Sequence, residues 1–357
     1  MKVADMHCDT ISELYNSINT NINTNTNTNT HSLRSNHFHI DLNKMKAGNY
    51  LVQNFGLYVN LNGDDDPLER CLKLIDLYYN EIEKNKDIIA PALTGDDILT
   101  NESQGKMSSL LTIEEGGVTK ASLSNLRNFY RLGVRMLTLT WNYENEIGHP
   151  AKKLDITNPI RLKELHRYEK LYSQEKSNKE KSSNETNEQG LKEYGIYLIE
   201  EMESLGMIID VSHLSDSGIR DVYKYTKKPF VASHSNSRTI CNHPRNLPDD
   251  LIKKMADRGC VIGINFYPPF LEENLSDNKE SGTIKSIINH IKHIINIGGP
   301  DCIGLGSDFD GIPGHGQLRD GSYMPLLAAY LEDAGISHNT IEKIFYKNVL
   351  NLYMELL

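Results

Sequence analysis

Several short apolar runs in this chain are followed directly by histidine or carboxylate residues, the side chains that bind metals and move protons. The first run ends at His7-Cys8-Asp9. Residues two apart on an extended segment point to the same side, so His7 and Asp9 can face one ion. Cys8 points the other way and is expected to pack as a small buried residue. An isolated H-x-D pattern is weak evidence when taken alone.

An acidic pair, Glu114-Glu115, follows another apolar run and is itself followed by Gly116-Gly117. Adjacent residues on a strand point to opposite faces, so at most one of the two carboxylates can join a common site. The glycines let the backbone turn sharply or approach a ligand closely. Taken alone, this motif would favour a solvated acidic turn.

Three later runs end in the same way, at His213, His234 and Asp308. A single histidine at such a position is more often a hydrogen-bonded structural residue than a ligand. Two histidines at equivalent ends of consecutive strands are harder to explain structurally, because their imidazoles would converge on one point. Glycines around Asp308 let other groups come close to its carboxylate.

The elements that must position these residues alternate between β-rich runs and helical periods. Candidate strands cover residues 2–6, 51–60, 109–113, 134–140, 207–211, 230–232, 260–266 and 302–306. Helical segments are expected at residues 66–84, 191–205, 248–258 and 283–297. Near-continuous apolar strands that alternate with helices indicate parallel βα units, and eight of them close into a (β/α)8 TIM-type barrel. A doubly wound open sheet is the alternative, but no glycine-rich phosphate loop follows the first strand.

In such a barrel the catalytic groups lie at the carboxyl ends of the strands. Histidine and carboxylate residues at five of these ends exceed what one tetrahedral zinc ion can use. They suit two ions roughly 3.5–4 Å apart, bridged by a carboxylate and a hydroxide. We therefore expect two Zn²⁺ ions per chain, with manganese, cobalt or iron as alternatives because metal supply helps to decide occupancy.

The order and spacing of six motifs resemble the membrane (renal-type) dipeptidase family of zinc metallopeptidases, from the first strand to beyond residue 311. The motifs are Asp5-Met6-His7-Cys8-Asp9-Thr10, Glu115-Gly116-Gly117, Asp210-Val211-Ser212-His213, Ser233-His234-Ser235, Arg245-Asn246-Leu247-Pro248-Asp249 and Gly306-Ser307-Asp308-Phe309-Asp310-Gly311.

The resemblance implies a role for each matching residue. His7 and Asp9 would hold the first zinc ion, and His213 and His234 the second. Glu115 would bridge the two ions; it is preferred to Glu114 because the family motif is a glutamate followed directly by two glycines.

The same resemblance implies residues that act on the substrate. Asp308 would transfer protons, and Arg245 would bind a terminal carboxylate or a developing oxyanion with its guanidinium fork. Tyr267 resembles a further pocket residue.

The segment after the fourth strand departs from the family pattern. Some members have a substrate-binding histidine where this chain has Trp141. An indole cannot accept a proton, but it can donate a hydrogen bond or form the wall of an apolar pocket. Trp141 is therefore a substrate-binding candidate; His149, eight positions later, is a weaker one.

The expected activity is hydrolysis of dipeptides, and the family resemblance implies that these include dipeptides with a D-residue at the second position. One alternative is a binuclear amidohydrolase for another amide, a lactone or a phosphotriester, although many such enzymes bridge their metals with a carboxylated lysine. A non-catalytic binding protein is the third reading, which the complete set of predicted ligands opposes.

Composition limits the partners and the location. A net charge of −10 opposes binding to nucleic acid or to an anionic membrane surface. No run of 18 apolar residues, no signal segment and no lipid-anchor tail is visible, and the five cysteines lack C-x-x-C spacing. We expect a cytoplasmic protein with reduced thiols and a small dipeptide as its partner; nothing in the sequence opposes a homo-oligomer.

Domain organisation is expected to be simple. Residues 1–357 form one hydrolase domain, with low-complexity loop insertions at about residues 19–31 and 173–190. The first insertion alternates asparagine and threonine and the second is rich in Lys, Glu, Ser and Asn, so neither has an apolar face to bury.

Overall fold

A closed ring of eight parallel strands forms the centre of the protein in this computed structural model, which describes residues 1–24, 31–63, 65–151, 189–273, 284–313 and 316–357. The strands are β1 (Val3–Cys8), β2 (Tyr50–Tyr58), β3 (Ile89–Pro91), β4 (Met107–Glu114), β5 (Val134–Thr138), β6 (Ile208–Asp210), β7 (Val231–Ala232), β8 (Val261–Ile264) and β9 (Ile303–Leu305). The ring runs β1-β2-β4-β5-β6-β7-β8-β9 and closes between β9 and β1, where Asp5 is paired with Leu305. Strand β3 pairs only with β4, outside the ring.

Helices surround this ring. They are α1 (Thr10–Thr24), α2 (Leu42–Gly48), α3 (Pro67–Lys84), α4 (Gly95–Ser103), α5 (Leu123–Arg131), α6 (Glu193–Leu205), α7 (Asp216–Tyr225), α8 (Asp249–Asp257), α9 (Pro268–Leu271), α10 (Ile284–Gly298), α11 (Met324–Asp333), α12 (His338–Glu342) and α13 (Asn348–Leu356). A π-helical turn (Lys343–Lys347) joins α12 to α13, and 3-10 turns cover Gly116–Thr119, Pro300–Cys302 and Gly321–Tyr323. Within the described part of the chain, every helix is too short or too polar to span a bilayer.

The expected (β/α)8 barrel is confirmed, and each of the eight predicted strands is a strand of the ring. Strand β3 was not predicted, because three residues ending in proline give too short a pattern to recognise. Helix α1 extends through Thr24, into the asparagine–threonine segment expected to be a loop. The remainder of both predicted insertions lies almost entirely outside the described residues.

Two hydrophobic layers build the core. The larger layer lies between the strands and the surrounding helices. The smaller one contains residues near the strand starts, such as Ala4, Ile208 and Val261, together with Leu352 and Tyr353 of α13. Helix α13 therefore closes the amino-terminal end of the barrel, which leaves the carboxyl-terminal end as the open mouth.

A buried polar pair fixes α13 to the strands. The Tyr353 hydroxyl lies 2.8 Å from Asn54 Nδ2 and 3.0 Å from Asn54 Oδ1. Both side chains are fully buried, so the hydroxyl is the partner that offsets burial of the Asn54 amide.

Replacing Tyr353 with phenylalanine should lower the free energy of unfolding by about 1–3 kcal/mol, because the Asn54 amide loses its partner inside the core. Urea denaturation of the variant and the wild type measures the change. Tyr330→Phe is the matched control, since Tyr330 is 43% exposed. Equal midpoints for the two variants would contradict the proposed role of the pair.

Candidate active site

The carboxyl ends of the strands bring six ionisable side chains together at the mouth of the barrel. Strand β1 and the residue after it supply His7 and Asp9, β4 ends in Glu114, and the segments after β6, β7 and β9 supply the rest of the group: His213, His234 and Asp308. His7 Nε2 lies 3.3 Å from Asp9 Oδ2 and 3.9 Å from Asp308 Oδ1. The sequence-predicted histidines and aspartates therefore share one buried site.

The carboxylate at the centre of this group belongs to Glu114. Its Oε1 atom lies 2.9 Å from His213 Nε2 and 3.5 Å from His234 Nε2. Its Oε2 atom lies 3.5 Å from His7 Nε2. One oxygen of Glu114 thus faces His213 and His234, and the other faces His7.

Glu115, the glutamate that the glycine motif favoured for this position, faces elsewhere, so its predicted placement is wrong. Its Oε1 accepts hydrogen bonds from Gly117 N and Asn145 Nδ2, and its Oε2 accepts one from Trp141 N. The reason is the alternation of side chains along β4: Glu114 is on the same face of the strand as Leu110, which lies in the barrel interior. A φ of 112° then turns the backbone at Glu115 out of the strand.

Hydrogen bonds to the Nδ1 atoms orient both later histidines. His213 Nδ1 lies 3.0 Å from Asn142 Oδ1, which can only accept, so His213 donates from Nδ1. His234 Nδ1 lies 2.8 Å from Ser233 Oγ, whose hydroxyl proton is donated to Asp210. Both rings therefore carry a lone pair on Nε2, and the two Nε2 atoms are only 2.9 Å apart.

Asp210 fixes the strand ends that carry these rings. Its Oδ1 accepts from Ser212 N, Ser212 Oγ and Ser233 N, and its Oδ2 accepts from Thr138 Oγ1 and Ser233 Oγ. The carboxylate is fully buried. One side chain thus joins the ends of β5, β6 and β7.

Asp5 does the same on the other side of the ring. Its carboxylate accepts from His7 N, Ser307 N and Ser307 Oγ. These bonds hold the end of β1 against the segment that carries Asp308.

Burial and mutual charge shift the pKa values throughout the cluster. Burial lowers the pKa of His213 to about 4, with the positive charge of Arg245 acting in the same direction. Burial, together with the charges of His7 and His213, also holds the pKa of His234 well below its usual value. Both imidazoles are therefore neutral near neutral pH, as metal ligands must be.

The carboxylates show opposing shifts. Burial opposes ionisation of Glu114, but the positive charge of His7 holds its pKa well below the usual value. Burial, reinforced by the charge of Glu114, raises the pKa of Asp9 to about 8. Burial alone would lower the pKa of His7, yet Glu114 and Asp9 outweigh it and raise that pKa. Carboxylates crowded in this way need a cation to be ionised together.

Among the described residues, two buried atoms of these six side chains have no hydrogen-bond partner: His7 Nδ1 and Asp9 Oδ1. Two sets of three ligand atoms also lie within 4.8 Å of one another, His7-Glu114-His234 and His7-Asp9-Asp308. A nitrogen and oxygen donor set of this kind can hold divalent metal ions.

Asp308 stands at the edge of the cluster. Its Oδ2 accepts a hydrogen bond of 2.9 Å from Asn265 Nδ2, and its backbone has a φ of 62°. Burial, helped by the charge of Glu114, raises the pKa of Asp308 to about 6. The following segment packs so closely that a Cβ at Gly311 would collide with the carboxylates of Asp9 and Asp308.

Arg245 lies next to the histidines with most of its hydrogen-bonding capacity unused. It is 6% exposed, and its Nη2 makes only a long bond of 3.5 Å to His234 O. Its Nε and Nη1 atoms have no partner among the described residues. The guanidinium lies 5.4 Å from the ring centroid of Phe270, and Phe270 contacts the other predicted pocket residue, Tyr267, at 4.8 Å.

Trp141 contacts the site from the opposite side. Its ring lies 4.8 Å from Tyr58, 5.1 Å from Tyr143 and 6.2 Å from His213, measured between centroids. His149, the weaker candidate, instead has its ring nitrogens at Gly190 O and Glu144. Of the two candidates, Trp141 and not His149 therefore lies beside His213.

Comparison with known proteins decides the family. The profile of the membrane dipeptidase family (peptidase family M19) matches residues 1–356. The chain belongs to this family. Among M19 relatives, an uncharacterized dipeptidase of Schizosaccharomyces pombe is 32% identical over 328 residues, covering 88% of this chain and 71% of the relative. The dipeptidase tcpJ of Claviceps purpurea is 29% identical over 327 residues, covering 89% and 69%.

Solved structures share the fold of this M19 dipeptidase. A metallo peptidase from Rhodobacter sphaeroides, liganded with a phosphinate mimic of the dipeptide L-Ala-D-Ala, superposes with a TM-score of 0.82 at 22% identity, covering 100% of this chain and 99% of that chain. A family M19 dipeptidase gives the same TM-score at 23% identity, covering 100% and 98%. As a member of family M19, the chain is a metallopeptidase that hydrolyses peptide bonds of dipeptides.

The supporting residues of this M19 site were only partly visible in the sequence. Asp5 precedes His7 by two positions and Asp210 precedes His213 by three, a signal that two of the three histidine-bearing strand ends carry a buried acid. The hydrogen bonds of Asn142 and Asn265 join segments far apart in the chain, and no local pattern reveals them.

Replacing Asp210 with asparagine should lower the free energy of unfolding by about 1–3 kcal/mol, because an amide donor would then face hydroxyl and N–H donors in a buried position. Urea denaturation tests this. The control is Asp333→Asn, an exposed residue in α11, which should change the midpoint little. A loss as small as the control's would show that Asp210 does not hold the three strand ends.

Proposed function

We propose that this M19 dipeptidase holds two zinc ions, with Glu114 as the bridging ligand. His7 and Asp9 would hold one ion, and His213 and His234 the other. Glu114 thereby takes the role that the glycine motif had suggested for Glu115.

The position of Glu114 carries this proposal. Its two oxygens face different histidines, which is the arrangement a bridging carboxylate requires. The two Nε2 lone pairs directed at each other 2.9 Å apart and the unpartnered Asp9 Oδ1 both fit a shared cation. All five donors are nitrogen or oxygen, in agreement with zinc, manganese or cobalt rather than a thiophilic ion.

Two zinc ions, when bound, lower the pKa of a coordinated water toward ~7 and polarise a carbonyl oxygen. The protein's own contribution includes proton transfer by Asp308, which lies beside His7 and is held by Asn265. A carboxyl group with a pKa of about 6 can accept the proton of the nucleophile and give it to the leaving amine.

Arg245 is proposed to bind the free carboxylate of the dipeptide. A buried guanidinium with two unpartnered nitrogens is favourable only if an anion completes it. Such an anchor selects short substrates, because the carboxylate must lie one residue away from the reacting carbonyl. We further propose that the second residue can have the D configuration, as in the mimic bound to the Rhodobacter sphaeroides protein.

A reducing, cytoplasmic setting is proposed from the cysteines. All five are buried and none is in a disulfide, which is typical of proteins from reducing compartments.

Purified protein should contain about two zinc ions per chain and should cleave L,L- and L,D-dipeptides, with loss of both on chelation and recovery on adding zinc back. Metal analysis and a peptidase assay on the same sample measure this. Dipeptide amides should be poor substrates, since Arg245 then has no carboxylate to bind. Two metals with cleavage only of lactones, phosphotriesters or other amides would contradict the substrate assignment, and protein that binds no zinc would contradict the site.

Replacing Asp308 with asparagine should leave the zinc content unchanged and reduce kcat by about 10²–10⁴-fold, because the amide cannot transfer a proton. Steady-state assays of the two proteins at equal zinc occupancy make the comparison. A near-normal kcat would exclude Asp308 from proton transfer.

A further inference from the structure

The segment that follows β5, residues 139–148, carries two side chains that contact the active site. Trp141 lies beside His213, and Asn142 accepts the hydrogen bond from His213 Nδ1. The segment has no helix and no strand of its own, so its shape depends on individual hydrogen bonds.

Glu115 and Asn145 supply those bonds. Glu115 Oε2 accepts from Trp141 N at 3.0 Å, and Glu115 Oε1 accepts from Asn145 Nδ2 at 2.6 Å. Asn145 Nδ2 also donates to Leu139 O, and its Oδ1 accepts from the backbone of residues 147 and 148. Both ends of the segment and its middle are therefore held by one buried carboxylate–amide pair.

The location of Glu115 makes this arrangement costly unless it has a use. The side chain is fully buried, and its φ of 112° lies in a region that residues other than glycine rarely adopt. No lysine or arginine contacts its carboxylate among the described residues; three N–H donors satisfy it instead. In this conformation the carboxylate faces the segment after β5, which supplies two of its three donors.

We propose that Glu115 is a positioning residue that, with Asn145, sets the place of Trp141 and thereby the pocket for the amino-terminal side chain of the substrate. The pocket assignment rests on the proposed function. Arg245 follows β7 and Phe270 follows β8, whereas Trp141 follows β5 and Tyr58 ends β2. Strand β6, whose following segment carries His213, lies between β5 and β7 in the ring, so a dipeptide whose carboxylate contacts Arg245 and whose scissile carbonyl lies near His213 directs its first residue toward Trp141.

An aromatic wall gives this pocket a defined chemistry. The ring of Trp141 lies between two others, 4.8 Å from that of Tyr58 and 5.1 Å from that of Tyr143, measured between centroids. Such a surface binds large apolar or aromatic side chains in preference to hydrogen. Dipeptides with a large apolar first residue should therefore have a lower KM than those that begin with glycine.

The test compares Glu115→Gln with Glu114→Gln by intrinsic fluorescence, metal analysis and kinetics. Trp141 is the single tryptophan of the chain, so its emission reports on this position alone. Glutamine offers only one acceptor oxygen, so one of the N–H groups around residue 115 loses its partner. Glu115→Gln should red-shift the emission, increase quenching by acrylamide and raise KM about tenfold for dipeptides with a large first residue.

The two variants should separate cleanly. Glu115→Gln should keep the wild-type zinc content and most of kcat and should change KM little for dipeptides that begin with glycine. Glu114→Gln should lose zinc and leave the emission maximum of the metal-free protein unchanged. Asn145→Ala breaks the same contact from the side of the segment and should reproduce the red shift, which guards against a folding defect of one variant.

Either of two results would overturn the proposal: an emission spectrum and KM like the wild type in folded Glu115→Gln or Asn145→Ala, or loss of zinc from Glu115→Gln, which would make Glu115 a ligand. If the wild type cleaves no dipeptide, the proposed function fails, whereas the fluorescence of the variants still decides whether Glu115 positions Trp141.

Discussion

The convergence of Glu114 with three imidazoles is the constraint on which the rest of the mouth depends. Unpaired lone pairs and ionised carboxylates are unfavourable in a dry interior, so every neighbouring element has to hold its ligand against repulsion. Asp210 and Asp5 do so with multiple hydrogen bonds to the strand ends. The buried acids that hold the strand ends are therefore as necessary to the arrangement as the residues that face the mouth.

The two ends of the barrel have different roles: one end stabilises the fold and the other carries the active site. At the amino-terminal end, α13 and the strand starts bury apolar side chains, with the Asn54–Tyr353 pair as the polar exception. At the carboxyl-terminal end, polar groups are packed at a cost that the hydrophobic end offsets. This division agrees with the general organisation of such barrels, in which chemistry depends on the loops and stability on the opposite face.

Sequence patterns predicted the parts of this structure that local physics determines. The eight strands were predictable because each is an apolar run, and His7, His213 and His234 because each follows such a run. Strand β3 was too short to detect. The prediction that Glu115 and not Glu114 joins the site was wrong. It was based on the distance from Gly116 and Gly117, whereas the alternation of side chains along β4, starting from Leu110, decides which glutamate faces inward. The contacts of Asn145 and Asn265 depend on segments brought together only by the closed ring.

The orientation of Cys8 has a consequence for metal poisoning. This residue stands between His7 and Asp9, yet its thiol is directed away from them and donates to Asn54 O, while Thr10 donates to its sulfur. Burial raises the pKa of Cys8 well above its usual value, which keeps the sulfur protonated. Cadmium and copper(I), which favour thiolates, therefore find no thiolate donor among the described residues that form the site.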